Sequence, residues 1–117
     1  MGNITRNLSR YEFACRCGCG FDTMDVETVE IVQELCDHFK TKVRVHSGAR
    51  CKVYNSLING APKSQHMLGR AMDISLDGVS PETVYKYLTK EYPHMYGFGL
   101  YNTFVHVDTR TQGPARW

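Results

Sequence analysis

Apolar residues recur at every third or fourth position between Asp25 and about Lys40, which is the spacing of one face of an amphipathic α-helix. Two other helices are indicated by start signals. The capping box Ser9-Arg10-Tyr11-Glu12 opens one, and Ser80-Pro81-Glu82 opens another that ends near Glu91. A fourth, short helix is predicted from Cys51 to Ile58 and stops near Asn59-Gly60.

Alternating apolar and polar residues predict four strands, at 43–46, 71–76, 97–101 and 104–109, the last two forming a hairpin. Strand faces follow from the alternation. Met72 and Ile74 share one face, and Asp73 lies on the other. Val105 and Val107 likewise lie on one face of their strand, and His106 and Asp108 lie on the other. We therefore expect one α+β domain over residues 1–117, with a small, mostly antiparallel sheet and helices packed on one face. We expect residues 1–20 to form an N-terminal arm that carries the cysteine cluster.

Composition and charge exclude several classes of function. Hydrophobic residues make up 42%, charged residues 22%, and the formal net charge is only +2. This balance, without a dense basic run, argues against a nucleic-acid-binding protein. No apolar stretch approaches the roughly 18 residues of a membrane span, and the first residues lack the apolar region of a secretory signal. We expect a monomer that is made in the cytoplasm without a signal peptide.

Five cysteines are many for this length, and three of them crowd into Cys15-Arg16-Cys17-Gly18-Cys19. With Cys36 or Cys51 as a fourth ligand, these three could form a structural thiolate zinc site. Their spacing is tighter than the usual C-x₂₋₄-C of such sites. That mismatch favours the other interpretation, in which reduced or partly disulfide-bonded cysteines brace the N-terminal arm.

The polar strand residues suggest metal chemistry. If Met72 and Val107 face the helices, Asp73 and His106 lie on the opposite face of the sheet, with His66 entering through the turn at Gly69. Two imidazoles and one carboxylate are the His₂-carboxylate set of hydrolytic zinc sites, which keep a fourth position for water. His66, Asp73 and His106 are therefore candidate ligands of one Zn²⁺, one of several His/Asp/Glu triples that could be drawn from this sequence.

The segment Ser64-Gln65-His66-Met67-Leu68-Gly69-Arg70-Ala71-Met72-Asp73 resembles the S-x-H-x-x-G-x-A-x-D signature of the zinc D-Ala-D-Ala carboxypeptidase family. Further similar segments are Phe13-Ala14-Cys15-Arg16-Cys17-Gly18, Ser47-Gly48-Ala49-Arg50, Tyr54-Asn55, Gly97-Phe98-Gly99-Leu100-Tyr101 and Phe104-Val105-His106-Val107-Asp108-Thr109-Arg110. The resemblance implies the hedgehog/DD-peptidase fold and the same three zinc ligands. It also implies that Arg50 contacts substrate and supports developing negative charge, and that Ser64 bonds to substrate or to the site backbone.

The general base is left open by this resemblance. Several relatives carry Glu three residues before the last zinc histidine, or His two residues before it; Thr103 and Phe104 occupy those positions here. Asp108 is the remaining nearby carboxylate. It either acts as the base or accepts a hydrogen bond that orients an imidazole.

The leading hypothesis is a zinc peptidase that cuts an amide bond in peptidoglycan stem peptides, as a D-Ala-D-Ala carboxypeptidase or as an endopeptidase. A phage or prophage endolysin that reaches the cell wall after release would fit the absence of a signal peptide. A non-catalytic zinc-binding or wall-binding module that retains the ligands is the alternative. A non-haem iron oxygenase ranks last, because no histidine follows Asp108 to complete its facial triad.

Overall fold

Four α-helices, one 3₁₀ helix and five strands follow one another in residues 3–117, the part of the chain that the computed structural model describes. The helices are α1 (Arg10–Phe13), α2 (Val26–Phe39), α3 (Lys52–Leu57), α4 (Pro81–Glu91) and the 3₁₀ helix Gln65–Leu68. The strands are β1 (Val43–Ser47), β2 (Ala71–Leu76), β3 (Gly97–Leu100), β4 (Val105–Asp108) and β5 (Ala115–Arg116). The predicted helices and strands are present, within one or two residues at their ends.

The strands form a single mixed sheet in the order β1-β2-β4-β3-β5. The pairs β1–β2, β2–β4 and β3–β4 are antiparallel, and β5 adds to β3 in parallel. The predicted α+β class is confirmed. Neither β5 nor the 3₁₀ helix was predicted, because a two-residue strand and a single helical turn leave no period in the sequence.

The hydrophobic core lies between one face of the sheet and the helices α2 and α4. Helix α2 contributes Val29, Val32 and Leu35, α4 contributes Val84 and Leu88, and the sheet contributes Met72, Ile74, Phe98, Val105 and Val107. The predicted strand faces are therefore present. Helix α3 was expected to pack on the sheet with the other helices. Its buried residue is instead the polar Asn55, which accepts a hydrogen bond from Arg50.

Capping residues define where the main helices begin. The Asp25 carboxylate accepts a hydrogen bond from the Glu27 N–H, and the Ser80 hydroxyl accepts one from the Thr83 N–H. Asp25 also accepts a hydrogen bond from Thr109, which ties the start of α2 to the end of β4. Within residues 3–117, no helix has both the length and the apolar character needed to cross a bilayer.

Candidate metal centre

Three separate elements bring the predicted metal ligands together. His66 lies on the 3₁₀ helix, Asp73 on β2 and His106 on β4, and Asp73 and His106 are direct partners in the β2–β4 register. One ligand atom from each lies within 4.8 Å of the others. Their exposed fractions are 2%, 6% and 8%, so the cluster is almost completely removed from water. Buried polar groups at this density need partners.

His66 is oriented by the loop that follows β1. Its Nδ1–H donates to the Gly48 carbonyl oxygen at 2.6 Å, which leaves Nε2 as the unprotonated nitrogen. Nε2 lies 3.2 Å from Asp73 Oδ2, yet it is buried and has no aligned hydrogen-bond partner among the described residues. Ser64 accepts a hydrogen bond from the His66 N–H, so this predicted substrate-binding residue caps the 3₁₀ helix.

Gly69 ends the 3₁₀ helix in a conformation that suits glycine. Its φ is +68°, and an added Cβ would lie 2.6 Å from the Thr23 carbonyl oxygen. The Gly69 N–H bonds back to the His66 carbonyl, which closes the turn between His66 and Asp73. The predicted sharp turn at this glycine is confirmed.

His106 is held between two carboxylates. Its Nε2 lies 2.7 Å from Asp108 Oδ2, and its Nδ1 lies 3.0 Å from Asp73 Oδ1. Burial lowers the pKa of His106, but the bonds to Asp108 and Asp73 outweigh it and the net direction is upward. With Nε2–H donated to Asp108, Nδ1 is the nitrogen that faces Asp73.

Asp108 is completely buried and fully bonded. Besides His106, it accepts Arg110 Nε at 2.8 Å and Arg110 Nη2 at 2.6 Å, a bidentate pair, and the Arg110 backbone N–H at 3.1 Å. Burial alone raises the pKa of Asp108. The hydrogen bonds from Arg110 and His106 dominate and hold that pKa well below its usual range. Asp108 is thus a charged acceptor behind His106.

The charge of Asp73 suits a metal ligand. Burial raises its pKa, but the close contacts with the imidazoles of His106 and then His66 prevail, so the pKa lies well below the usual range. Asp73 is therefore ionised at neutral pH.

The spacing of these donors is compatible with a bound metal ion. With zinc–ligand distances of about 2.0–2.1 Å, tetrahedral ligand atoms lie about 3.3 Å apart. The Asp73 carboxylate has contacts close to that value through both oxygens, 3.2 Å from Oδ2 to His66 Nε2 and 3.0 Å from Oδ1 to His106 Nδ1. The unpaired, buried His66 Nε2 is the atom that a metal would satisfy. The residues His66, Asp73 and His106 could thus hold a metal ion.

Arg50 extends the cluster toward the cleft. Its guanidinium contacts Asp73 Oδ2 at 3.3 Å, Asn55 Oδ1 at 3.2 Å and Ser47 Oγ at 3.0 Å. Asn55 is 3% exposed and is itself fixed by donating to the Ala61 carbonyl. The Arg50 guanidinium is therefore held in place by three partners, beside the carboxylate of Asp73.

A cleft of about 590 Å³ opens onto these groups. Three aromatic side chains line it, Tyr101, Phe104 and Trp117, together with Lys63, Ser64 and Arg110. Asp73 is the sole Asp or Glu among the described residues that line the cleft. His46 bonds to Ser75 and faces the Phe104 ring, and it does not line the cleft.

Sequence reasoning missed several residues around the cluster. Trp117 lies against His106, with ring centroids 5.0 Å apart, and donates to the Tyr101 hydroxyl. Two glycines make room on β3: a Cβ at Gly97 would lie 2.5 Å from the Asp108 carboxylate, and one at Gly99 would lie 2.4 Å from Trp117. The alternating Gly97-Phe98-Gly99 was the available signal, since glycine within a strand often marks a close approach.

The cluster and the cleft have the architecture of a metal-dependent hydrolase, with a buried two-histidine, one-carboxylate centre open on one side. The sequence profile of the family described as Peptidase M15 matches residues 6–108, which is most of the chain. The chain therefore belongs to the peptidase M15 family, and the resemblance to zinc D-Ala-D-Ala carboxypeptidases is confirmed. This is a family of zinc-dependent metallopeptidases, which implies a peptide substrate. No curated protein and no solved structure matches the chain.

Proposed function

We propose that the protein is a zinc-dependent peptidase that hydrolyses an amide bond in peptidoglycan stem peptides, as a D-Ala-D-Ala carboxypeptidase or as an endopeptidase. The observation that carries the proposal is the convergence of His66, Asp73 and His106, with His66 Nε2 buried and unpaired, in a member of the peptidase M15 family. We propose the bacterial cell wall as the place of action, after release of the protein in the manner of a phage endolysin.

Zinc bound by these three residues would supply Lewis-acid polarisation of the scissile carbonyl and a water of lowered pKa. Arg50 would be a second electrophilic group, beside the zinc ion. Its guanidinium is fixed by Ser47 and Asn55, and it points toward the ligand cluster, where it can donate to the substrate carbonyl as negative charge develops. Ser64 lines the same cleft, and its hydroxyl hydrogen is available to substrate while its oxygen caps His66.

Asp108 is assigned to positioning in this proposal. Its side chain is 0% exposed and its oxygens are occupied by His106 and Arg110. A carboxylate bonded to Nε2 of His106 lies on the far side of that ring from Nδ1, which is the nitrogen directed at Asp73. It therefore fixes the ring and its tautomer, the role that carboxylates play behind many metal-bound histidines.

The lining of the cleft favours a second candidate, a zinc-binding or wall-binding module without catalysis. A peptidase needs a proton acceptor beside the attacking water. Among the described residues lining the cleft, the sole acidic side chain is that of the proposed metal ligand Asp73. The two candidates share the metal centre and differ in turnover.

The deciding experiment measures hydrolysis of purified peptidoglycan and of a peptide ending in D-Ala-D-Ala. We expect cleavage that is abolished by EDTA and restored by added zinc. The variant His66→Ala should lack activity, whereas His94→Ala should retain it, because His94 is exposed in the loop before β3. Activity that survives metal removal would refute the proposal, and stoichiometric zinc without turnover on either substrate would establish the binding module.

A further inference from the structure

A second set of potential metal ligands lies outside the cleft. The loop after α1 carries Cys15, Cys17 and Cys19, and Cys51 caps the start of α3. Although Cys51 is distant in sequence, the four Sγ atoms all lie within 4.8 Å of one another. Cys36, the other fourth ligand considered from the sequence, is instead buried in the hydrophobic core.

The sulfur geometry suits coordination better than covalent pairing. All five cysteines are free. The Sγ atoms of Cys15 and Cys17 are 3.5 Å apart, and those of Cys17 and Cys51 are 3.6 Å apart. A disulfide has a length of about 2.05 Å. Four thiolates at about 2.3 Å from a tetrahedral zinc ion lie about 3.8 Å from one another.

The backbone around these thiols is folded to present them inward. Gly18 and Gly20 adopt φ values of +80° and +93°, and the Cys15 N–H bonds to the Phe21 carbonyl at 2.8 Å, which closes the loop. Tight turns of this kind allow three cysteines at alternate positions to reach one point, which removes the objection from their close spacing.

Backbone amides also support the sulfur atoms. The Cys51 N–H donates to Cys15 Sγ, and the Tyr54 N–H donates to Cys51 Sγ, each at 3.4 Å. Such N–H groups orient and partly neutralise metal-bound thiolates, in the same way that outer hydrogen bonds orient histidine ligands. No Asp or Glu belongs to this cluster in the described part of the chain.

We propose that Cys15, Cys17, Cys19 and Cys51 bind a structural zinc ion, separate from the metal centre of the cleft. A closed set of four soft thiolates favours zinc and leaves no position for substrate. Its effect is to clamp the N-terminal arm onto the loop that follows β1.

That loop carries two groups of the cleft centre. Gly48 accepts the His66 Nδ1–H, and Arg50 immediately precedes Cys51. The arm already contacts the loop, since the Ala49 N–H donates to the Phe13 carbonyl at 2.7 Å. A zinc ion between Cys51 and the arm would hold Arg50 and Gly48 at their present positions.

The test is the zinc content of the purified, reduced protein, measured by elemental analysis after removal of loosely bound metal. We expect two zinc ions per chain. The double variant Cys17→Ser/Cys19→Ser should retain one, and it should fold because both side chains are exposed. His66→Ala should also retain one, and Cys36→Ala, the matched cysteine control, should retain two.

Cobalt substitution in His66→Ala gives an independent readout that does not use activity. Strong thiolate-to-cobalt charge-transfer absorption is expected there, and its loss is expected when Cys17 and Cys19 are also replaced. The proposal is overturned if zinc content is unchanged in Cys17→Ser/Cys19→Ser. It is also overturned if intact mass shows disulfides joining these cysteines in place of bound metal. Either result leaves the cleft zinc, and hence the proposed peptidase, untouched.

Discussion

Replacing Asp108 by Asn tests whether this residue positions His106 or acts as the general base. The change keeps the size of the side chain and removes its charge. At present the carboxylate accepts four hydrogen bonds, from His106 Nε2 and from Nε, Nη2 and the backbone N–H of Arg110. Asn has a single acceptor oxygen, and its NH₂ group faces donors, so either His106 or Arg110 loses its partner.

The expected magnitudes follow from these contacts. Loss of the carboxylate behind a metal-bound histidine lowers metal affinity about 10–100-fold, or about 1.4–2.8 kcal/mol. Breaking a buried ion pair costs about 3–5 kcal/mol of folding free energy. Because the Arg110 side chain is 25% exposed, we expect a loss near the lower end of that range.

The assay measures zinc affinity by competition with a fluorescent chelator, and kcat with zinc at saturation. If Asp108 positions His106, Asp108→Asn lowers zinc affinity 10–100-fold and kcat largely recovers at saturating zinc. Asp25→Asn is the control, because Asp25 bonds to the neighbouring Thr109 without touching the centre. Unchanged zinc affinity with a kcat loss of about 10²–10⁴ at saturating zinc would refute the positioning role and identify Asp108 as the base.

Three further predictions concern Arg50, Gly97 and Cys36. Arg50→Lys keeps the charge but removes the planar guanidinium group that bonds to three partners. We therefore expect kcat/KM to fall about 10²–10³-fold with unchanged zinc content, as measured by kinetics and elemental analysis. Gly97→Ala should lower the free energy of unfolding by about 1–3 kcal/mol and weaken zinc binding, because its Cβ would displace the Asp108 carboxylate; urea unfolding and chelator competition measure both. Burial raises the pKa of Cys36 from 9.0 to about 11. The folded state therefore holds this thiol proton more tightly than the unfolded state, and the resulting contribution to stability is complete below pH 9 and is lost as pH rises toward 11. Urea unfolding at pH 8 and pH 11 should therefore show a larger loss of stability in wild type than in Cys36→Ala, by on the order of 2 kcal/mol.

Each of these has a clear contrary result. Full kcat/KM in Arg50→Lys would mean that catalysis does not depend on the planar guanidinium group of Arg50. Wild-type zinc affinity in Gly97→Ala would mean that the Asp108 carboxylate can move without releasing His106. Parallel stability curves for wild type and Cys36→Ala would show that the thiol does not titrate differently on folding.

The faces of the central strands could be predicted because alternation is a local property. Met72 and Ile74 on β2, and Val105 and Val107 on β4, identify the core side without reference to any other strand. Once those sides are assigned, Asp73 and His106 have to lie on the opposite one. That they are direct partners depends on the β2–β4 register, which no local pattern contains.

The surroundings of the centre could not be predicted for the same reason. Arg110 and Trp117 follow the last predicted strand, and no pattern in the sequence shows that both fold back onto it, Arg110 at Asp108 and Trp117 at His106. The choice of Cys51 over Cys36 beside the N-terminal cysteines depends on how the loop after β1 packs on the arm. Contacts of this kind arise from tertiary structure, and periodicity carries no information about them.

The position of Trp117 has a practical consequence. It is the single tryptophan of the chain, and its ring lies 5.0 Å from that of His106, with the Arg110 guanidinium 5.3 Å from its centroid. Tryptophan emission responds to a nearby imidazole that gains or loses charge. The intrinsic fluorescence of the protein is therefore a built-in reporter, which would follow occupancy of the cleft in real time without any attached dye.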